Sequence, residues 1–410
     1  MYRQRFPDDP GMHVPHQETY TNVKYRQNAT FFERVKSSLV AILIGLMLIL
    51  VASVLLFWNE GRAVQTAQSL DEGMRILVHL DTTDVAFENN NLRLVYLQGQ
   101  LSSEESLFDP VYQISIRAAR FRRIIEMYQW VEHEQKREIK EGDRTREETE
   151  YSYSLEWNQE VIKSDSFYST VGHENPNSMP YRSETQVASV VKVGAFHLSS
   201  ALVDQISDFR LIPPGTSASP KDPSLMFFNG YYYHGSPQNP KVGDLRVKIE
   251  AAGILPDSNL GPPTDVTIIA KQKGSRLEGY QTEAGDILEI LYTELLSPKD
   301  IFSKKHADNT LMTWAIRFGG WLLMFVGFGC LTSIITTLVD WIPLVRDLVS
   351  VGVGTLNMAL SVSLSLTVIA LGWIRYRPWL GCTILFMAFV PYILARFRKP
   401  SPLDTRYRNA

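Results

Sequence analysis

Only two of the 410 residues are cysteine, and both, Cys330 and Cys382, fall inside long apolar runs. The polar middle of the chain therefore holds no disulfide. Cell-surface domains of this size are commonly stapled, so the absence favours an internal membrane. The middle also lacks any N-x-S/T sequon; the only one, Asn28-Ala29-Thr30, precedes the first apolar run. Catalytic signatures are missing too: there is no G-x-S-x-G elbow, Walker loop, H-E-x-x-H or C-x-x-C. Histidines, among them His79, His133, His173, His197 and His234, are scattered and never paired at i, i+4. The chain also has little positive charge where nucleic acid would need it. Residues 60–317 carry 27 basic and 37 acidic residues, which gives a solvated acidic surface and excludes a nucleic-acid partner.

Four apolar segments are present and unevenly placed. Residues 39–58 are 20 positions without a formal charge, enough to cross a bilayer core as a helix. Three more, 318–339, 351–374 and 379–395, are gathered at the end of the chain. The mean hydropathy of -0.10 hides them behind the polar middle. The expected fold class is a multi-pass α-helical membrane protein, one helix plus three, with a large β-rich α+β domain. Its parts are a flexible leader at 1–38, a signal anchor at 39–58, the domain at 59–317, and spans at 318–339, 351–374 and 379–395. An interfacial segment at 340–350 and a turn at 375–378 separate the spans, and a basic tail occupies 396–410.

Orientation follows from basic flanks. Lys24, Arg26, Arg34 and Lys36 precede the first span and only Arg62 closely follows it, so the positive-inside rule keeps the N-terminus cytosolic and translocates the domain. Three further spans return the tail, with Arg396, Arg398, Lys399, Arg406 and Arg408, to the same side. Arg375 and Arg377 run against this pattern, because the turn that holds them then faces the lumen. The residues around the end of the first span, Phe57-Trp58-Asn59-Glu60, have no small-x-small cleavage site, hence the signal anchor.

Within the middle, residues 59–75 are Ala-, Gln- and Ser-rich and predict a helix continuing away from the membrane. Strands are expected at 92–97, 126–132, 150–157, 187–198, 245–251, 266–271 and 287–292, from period-two apolar spacing and β-prone composition. Lys140-Glu141-Gly142-Asp143 supplies turn chemistry, so 126–132 and 150–157 form a long hairpin with Trp130 and Trp157 as core or cross-strand residues. Residues 200–209 have helical spacing, and Pro213 to Pro223 is the clearest loop. Ser297-Pro298-Lys299-Asp300 combines an N-cap, proline at N1 and acid at N3, which starts a helix leading into the second span.

No apolar run carries a charge at its centre, whereas an ion or substrate pathway in a membrane ordinarily has one. Arg317 and Asp340 bracket the second span, where snorkelling accounts for them. Glu147, Glu148 and Glu150 read as the solvated face of the hairpin, not as a cation site. Small residues recur at period four: Gly329, Ser333 and Thr337 on the second span, and Thr355, Ala359, Ser363 and Thr367 on the third. Such stripes let helices approach closely, within one chain or between copies. Ser361 and Ser365 add a second polar strip to the third span.

Several strings occur together: N-E-G-R-A at 59–63, E-M-Y-Q-W-V-E at 126–132, Y-S-Y at 151–153, E-W at 156–157 and G-H-E-N-P at 172–176. V-G-D-L-R-V at 242–247, L-V-D-W at 338–341 and Y-R-P at 376–378 complete the set. With the one-plus-three layout, the chain closely resembles the transmembrane protein 43 (LUMA) family beyond about residue 30. The resemblance implies a four-pass protein of the endoplasmic reticulum and inner nuclear membrane with a lumenal domain. It also implies self-association, partners among lamins, emerin and SUN-domain proteins, and no catalytic residue. The expected function is a non-enzymatic scaffold that organises complexes at the nuclear envelope and reticulum, in contact with membrane lipids and without a cofactor or metal. The alternatives are a channel subunit or modulator using the serine-rich third span, and a lumenal enzyme with a site built from non-contiguous residues.

Overall fold

The computed structural model describes residues 19–339 apart from 143, 217, 257 and 259, and then residues 343–379 and 383. Cys382, most of the fourth expected span at 379–395, the tail at 396–410 and the start of the 340–350 segment lie outside the described residues.

Three helices are long and apolar enough to cross a membrane. Helix α1 spans Phe31–Ile76, about 69 Å at the helical rise, and so continues well past the apolar stretch as a stalk. Thr30 and Glu33 start it with reciprocal side-chain to backbone bonds, a capping box. The expected helical continuation over 59–75 is thus present. Helix α3, Pro298–Leu338, begins with Ser297 accepting from the Asp300 N–H and runs unbroken from the domain into the second span. Helix α4, Pro343–Tyr376, takes residues 343–350 into the third span without a break, so these residues form no separate interfacial helix. The three helices pack on one another, and α2, Ser200–Asp204, is a single turn in the domain where a helix over 200–209 was expected.

The domain is built on two larger sheets. In the first, strand β1 (Thr19–Gln27) pairs with β4 (Arg144–Asn158), which pairs with β3 (Ala118–Glu141), then β7 (Leu245–Ile254) and β6 (Tyr231–His234), all antiparallel. In the second, β2 (Leu94–Ser102) pairs with β8 (Asp265–Lys273), and three short strands, among them β5 (Phe196–Leu198), close the path between them. The main core lies where the two sheets meet: Val95, Leu97, Phe121, Ile125, Val247, Ile249, Ile268 and Phe196 are all buried. Alternation along β3 and β7 places these side chains inward.

The β3–β4 hairpin has the expected partners, with Trp130 opposite Leu155 and Trp157 opposite Tyr128, and turns at Gly142 with φ +58°. The inward phase differs from a tryptophan core. Met127 and Gln129 are buried, whereas Trp130 and Trp157 are half-buried and pack against His173 and Tyr128. The run expected as one strand over 187–198 is broken by a turn at Gly194 (φ +56°), where a Cβ would collide with the Thr83 carbonyl oxygen.

Residues 19–38 are not a flexible leader. Residues 19–27 form β1, whose Tyr, Thr and Val content suits a strand, and its Lys24 and Arg26 face the acid-rich β4, where Arg26 meets Glu147 at 3.3 Å. Asn28 closes the junction by donating to the Gly142 carbonyl at 2.8 Å and accepting from Thr145 at 2.6 Å. This pairing constrains topology. With a bilayer around residues 39–58, residues 144–152 reach 19–27 only if the hairpin runs through that bilayer. The hairpin limb that reaches β1 carries Glu132, Glu134, Lys136, Arg137 and Glu138, and each such charge costs about 3 kcal/mol in hydrocarbon. The β1–β4 pairing and a leader across the bilayer from the domain are therefore mutually exclusive in lipid.

Candidate functional site at the membrane boundary

Directly after the apolar stretch of α1, Glu60 is buried where α1, α3 and α4 converge. Its carboxylate accepts from Arg317 Nε at 2.7 Å, from Arg317 Nη2 at 2.8 Å and from the Trp373 indole N–H at 2.7 Å. The Arg317 guanidinium also lies over the rings of Trp314 (4.9 Å) and Trp373 (5.6 Å). A buried carboxylate is tolerated only with such full compensation, and the bidentate fork of arginine supplies it. Around this centre, Asn59 donates to the Thr313 carbonyl, Asn309 donates to the Ala63 carbonyl, and Arg62 donates to Asn309, Asn59 and Thr313. Gly372 is what lets α4 approach, because a Cβ there would stand 2.9 Å from Glu60 Cβ.

Above the clamp the α1 stalk docks into the domain. Gln65 donates to Asp286 at 2.8 Å, Ser69 and Thr282 share a hydroxyl bond at 2.9 Å, and the Glu72 carboxylate accepts the Glu283 N–H. Leu70 joins Leu94, Ile269, Leu288, Ile290, Ile301 and Phe302 in a second core that ties α1 and α3 to the sheet. The membrane helices and the domain thus form one continuous packed unit.

Below the clamp the interhelical contacts are not those expected from the small-residue stripes. Glycines join α1 to α3: a Cβ on Gly45 would lie 2.6 Å from the Gly327 carbonyl oxygen, and one on Gly320 would lie 2.5 Å from Leu56 Cδ2. Among the described residues nothing lies within 4 Å of the Gly329 Cβ position. Ser333 bonds to the Cys330 carbonyl on its own helix, while Thr337 does reach α1, sharing a 2.9 Å hydroxyl bond with Ser38. On α4, Thr355, Ala359, Ser363 and Thr367 are all exposed, so among the described residues this stripe is not a packed face. The opposite strip is buried instead: Asn357, Ser361, Ser365 and Val368 face the bundle, and Asn357 donates to Thr332 at 2.8 Å.

In the domain, Arg123 is buried with Asp109 and also meets Glu184 at 3.1 Å. The Tyr112 hydroxyl and His234 Nε2 are 3.0 Å apart, and burial holds the Tyr112 phenol far above its ordinary range while it lowers His234. His133 bonds to Ser154 and Glu156 on the exposed hairpin. Glu147 and Glu148 are engaged by Arg26 and Arg146. Among the described residues no three His, Cys, Asp or Glu side chains gather as a metal site.

Glu60, Arg317 and Trp373 escaped the sequence reading as a unit because 257 and 313 residues separate Glu60 from its partners. The signal available was a lone acid immediately after a span and a lone arginine immediately before another.

Comparisons place this architecture. A family model described as Transmembrane protein 43 matches residues 127–378. Transmembrane protein 43 of Homo sapiens is 38% identical over 383 residues, which cover 93% of this chain and 96% of the human protein. The Mus musculus protein of that name is 38% identical over 372 residues (90% and 93%), and the Drosophila melanogaster Transmembrane protein 43 homolog is 31% identical over 376 (89% and 96%). No solved structure matches. On the family model and on relatives aligned along nearly their whole length, the chain belongs to the transmembrane protein 43 family.

Proposed function

We propose that this protein is a non-enzymatic membrane scaffold that holds a β-rich lumenal domain in fixed relation to the bilayer of the endoplasmic reticulum and inner nuclear membrane. The observation that carries this reading is the Glu60–Arg317–Trp373 clamp together with the stalk above it. A domain on a flexible tether needs neither. One welded to three helices transmits position and force between a lumenal partner and the membrane. Both termini are cytosolic or nucleoplasmic in this reading, with β1 released from β4 when α1 is in the bilayer. Lamins, emerin and SUN-domain proteins are the partners proposed from family resemblance, and the exposed α4 stripe is the proposed seam for self-association.

The test is proximity labelling with a ligase fused to the N-terminus or inserted in the Pro213–Pro223 loop. Enrichment of nuclear-envelope structural proteins, lost when Glu60→Ala loosens the clamp, supports the scaffold. Unitary currents from purified protein in planar bilayers would favour the channel alternative. Against that alternative, the Ser361 and Ser365 hydroxyls bond to carbonyls of their own helix.

A further inference from the structure

A cavity of about 480 Å³ opens between α1 and α4 beside the clamp, lined by Trp58, Gly61, Arg62, Gln68, Arg375 and Tyr376 among others. Its height is fixed by the sequence. Trp58 is the last residue of the apolar stretch of α1, and Tyr376 ends α4, so the cavity lies at headgroup level in the leaflet next to the domain. Two cations line it without a countercharge. Among the described residues Arg62 donates only to neutral oxygens, of Asn309, Asn59 and Thr313, and its Nε is a buried donor without a partner. Arg375 lies against the Tyr376 ring at 5.5 Å and makes no ion pair among the described residues. Arg317, by contrast, is neutralised by Glu60 only one turn away on the bundle side. The floor is specifically shaped: Tyr376 packs on the backbone at Gly61, where a Cβ would stand 2.6 Å from its ring, and on Phe57 at 5.7 Å.

We propose that this cavity binds the phosphate-bearing headgroup of an anionic phospholipid, with Arg62 and Arg375 as the cationic contacts, Gln68 as a neutral donor, and Trp58 and Tyr376 as the apolar shoulder for the upper acyl chain. Guanidinium groups suit a phosphate by their paired donors, and a headgroup supplies the charge that the lining lacks. In the proposed topology the site also accounts for Arg375 on the side of the bilayer where basic residues are depleted.

Full-length protein in neutral detergent, observed by native mass spectrometry, tests this with three probes: dioctanoyl phosphatidylinositol, dioctanoyl phosphatidylcholine and inorganic phosphate. Wild type is expected to retain phosphatidylinositol at least fivefold more tightly than phosphatidylcholine, and Arg375→Gln to weaken it about fivefold, the worth of one arginine at an anionic surface. Gln68→Glu, exposed and outside the clamp, is expected to act likewise and carries the test if Arg375→Gln fails to fold. Arg377→Gln, which lines the neighbouring cavity, leaves binding unchanged. Equal phosphatidylinositol affinity in wild type and the folded variants overturns the site. Occupancy by inorganic phosphate with no gain from acyl chains assigns it to a soluble anion and overturns the lipid.

Discussion

The Glu60 carboxylate accepts from both Nε and Nη2 of the Arg317 guanidinium, at 2.7 and 2.8 Å, across 257 residues of chain. That single carboxylate also takes the Trp373 N–H, so it joins three helices. Removing its charge strands a guanidinium that is 15% exposed. Glu60→Gln is expected to lower the stability of the purified protein by about 3 kcal/mol, the range for breaking a buried pair. Trp373→Phe, which loses one hydrogen bond to a charged group, costs roughly 2 kcal/mol. Thermal unfolding followed by tryptophan fluorescence checks both, and Glu60→Arg with Arg317→Glu should recover part of the loss. Equal stability of wild type and Glu60→Gln would remove the clamp.

The glycine contacts predict an asymmetry along α3. At Gly327 a Cβ would meet Ile49 Cγ1 at 2.8 Å and the Gly45 carbonyl oxygen at 3.0 Å, whereas two residues on, at Gly329, it meets none of the described residues. Gly327→Leu should destabilise the bundle by roughly 2 kcal/mol through overpacking, and Gly329→Leu should be nearly silent. Both insert, because leucine is favourable in the membrane. Ala359→Leu, on the exposed α4 stripe, should leave the thermal midpoint unchanged and reduce cross-linked dimer in membranes. A dimer yield equal to wild type would strike the stripe from the seam.

His234 gives the domain a pH dependence. Burial lowers its folded pKa below the ordinary 6.5, with Asp222 opposing. The unfolded chain therefore takes up the proton first as pH falls. Stability contributed by the neutral imidazole is complete above about 6.5 and is lost as pH drops through the folded value. The thermal midpoint should decline from pH 7.5 to 5, and His234→Gln, which keeps a hydrogen-bonding group beside Tyr112, should flatten that decline. Identical slopes for the two proteins would exclude His234 as the source.

Local pattern carried much of this architecture. The 126–132 and 150–157 runs pair as their alternation requires, and Ser297-Pro298-Lys299-Asp300 caps α3 as its spacing requires. These are contacts between near neighbours or between strands joined by one turn. The helix faces were not legible, because Thr355 and Asn357 begin two polar stripes about 200° apart on one helix. Sequence periodicity marks both and does not say which one meets protein. The clamp was hidden for a related reason: Arg317 reads alone as an ordinary boundary residue, Glu60 and Trp373 carry no local signal, and only tertiary packing makes the three one site. Residues 19–27 were obscured by the proline-bearing segment before them, although their own composition suits a strand.

Val23 stands opposite Glu148 in the β1–β4 register, close enough for a disulfide if both become cysteine. In intact membranes the proposed topology puts these positions on opposite faces, and the charged hairpin cannot follow β1 through hydrocarbon. Val23→Cys with Glu148→Cys, on a background with Cys330 and Cys382 replaced by alanine, should therefore give no intramolecular cross-link in sealed microsomes treated with oxidant. After solubilisation in mild detergent the bilayer no longer separates the strands. The register then favours pairing, and the cross-link should appear as a faster-migrating band that reductant removes. Val23→Cys with Leu155→Cys, seven positions out of register, controls for collision. A sequon placed in the Pro213–Pro223 loop should be glycosylated in the same microsomes and Asn28 should not. A disulfide formed before solubilisation would place residues 19–27 beside the domain and overturn a trans-bilayer α1 between them.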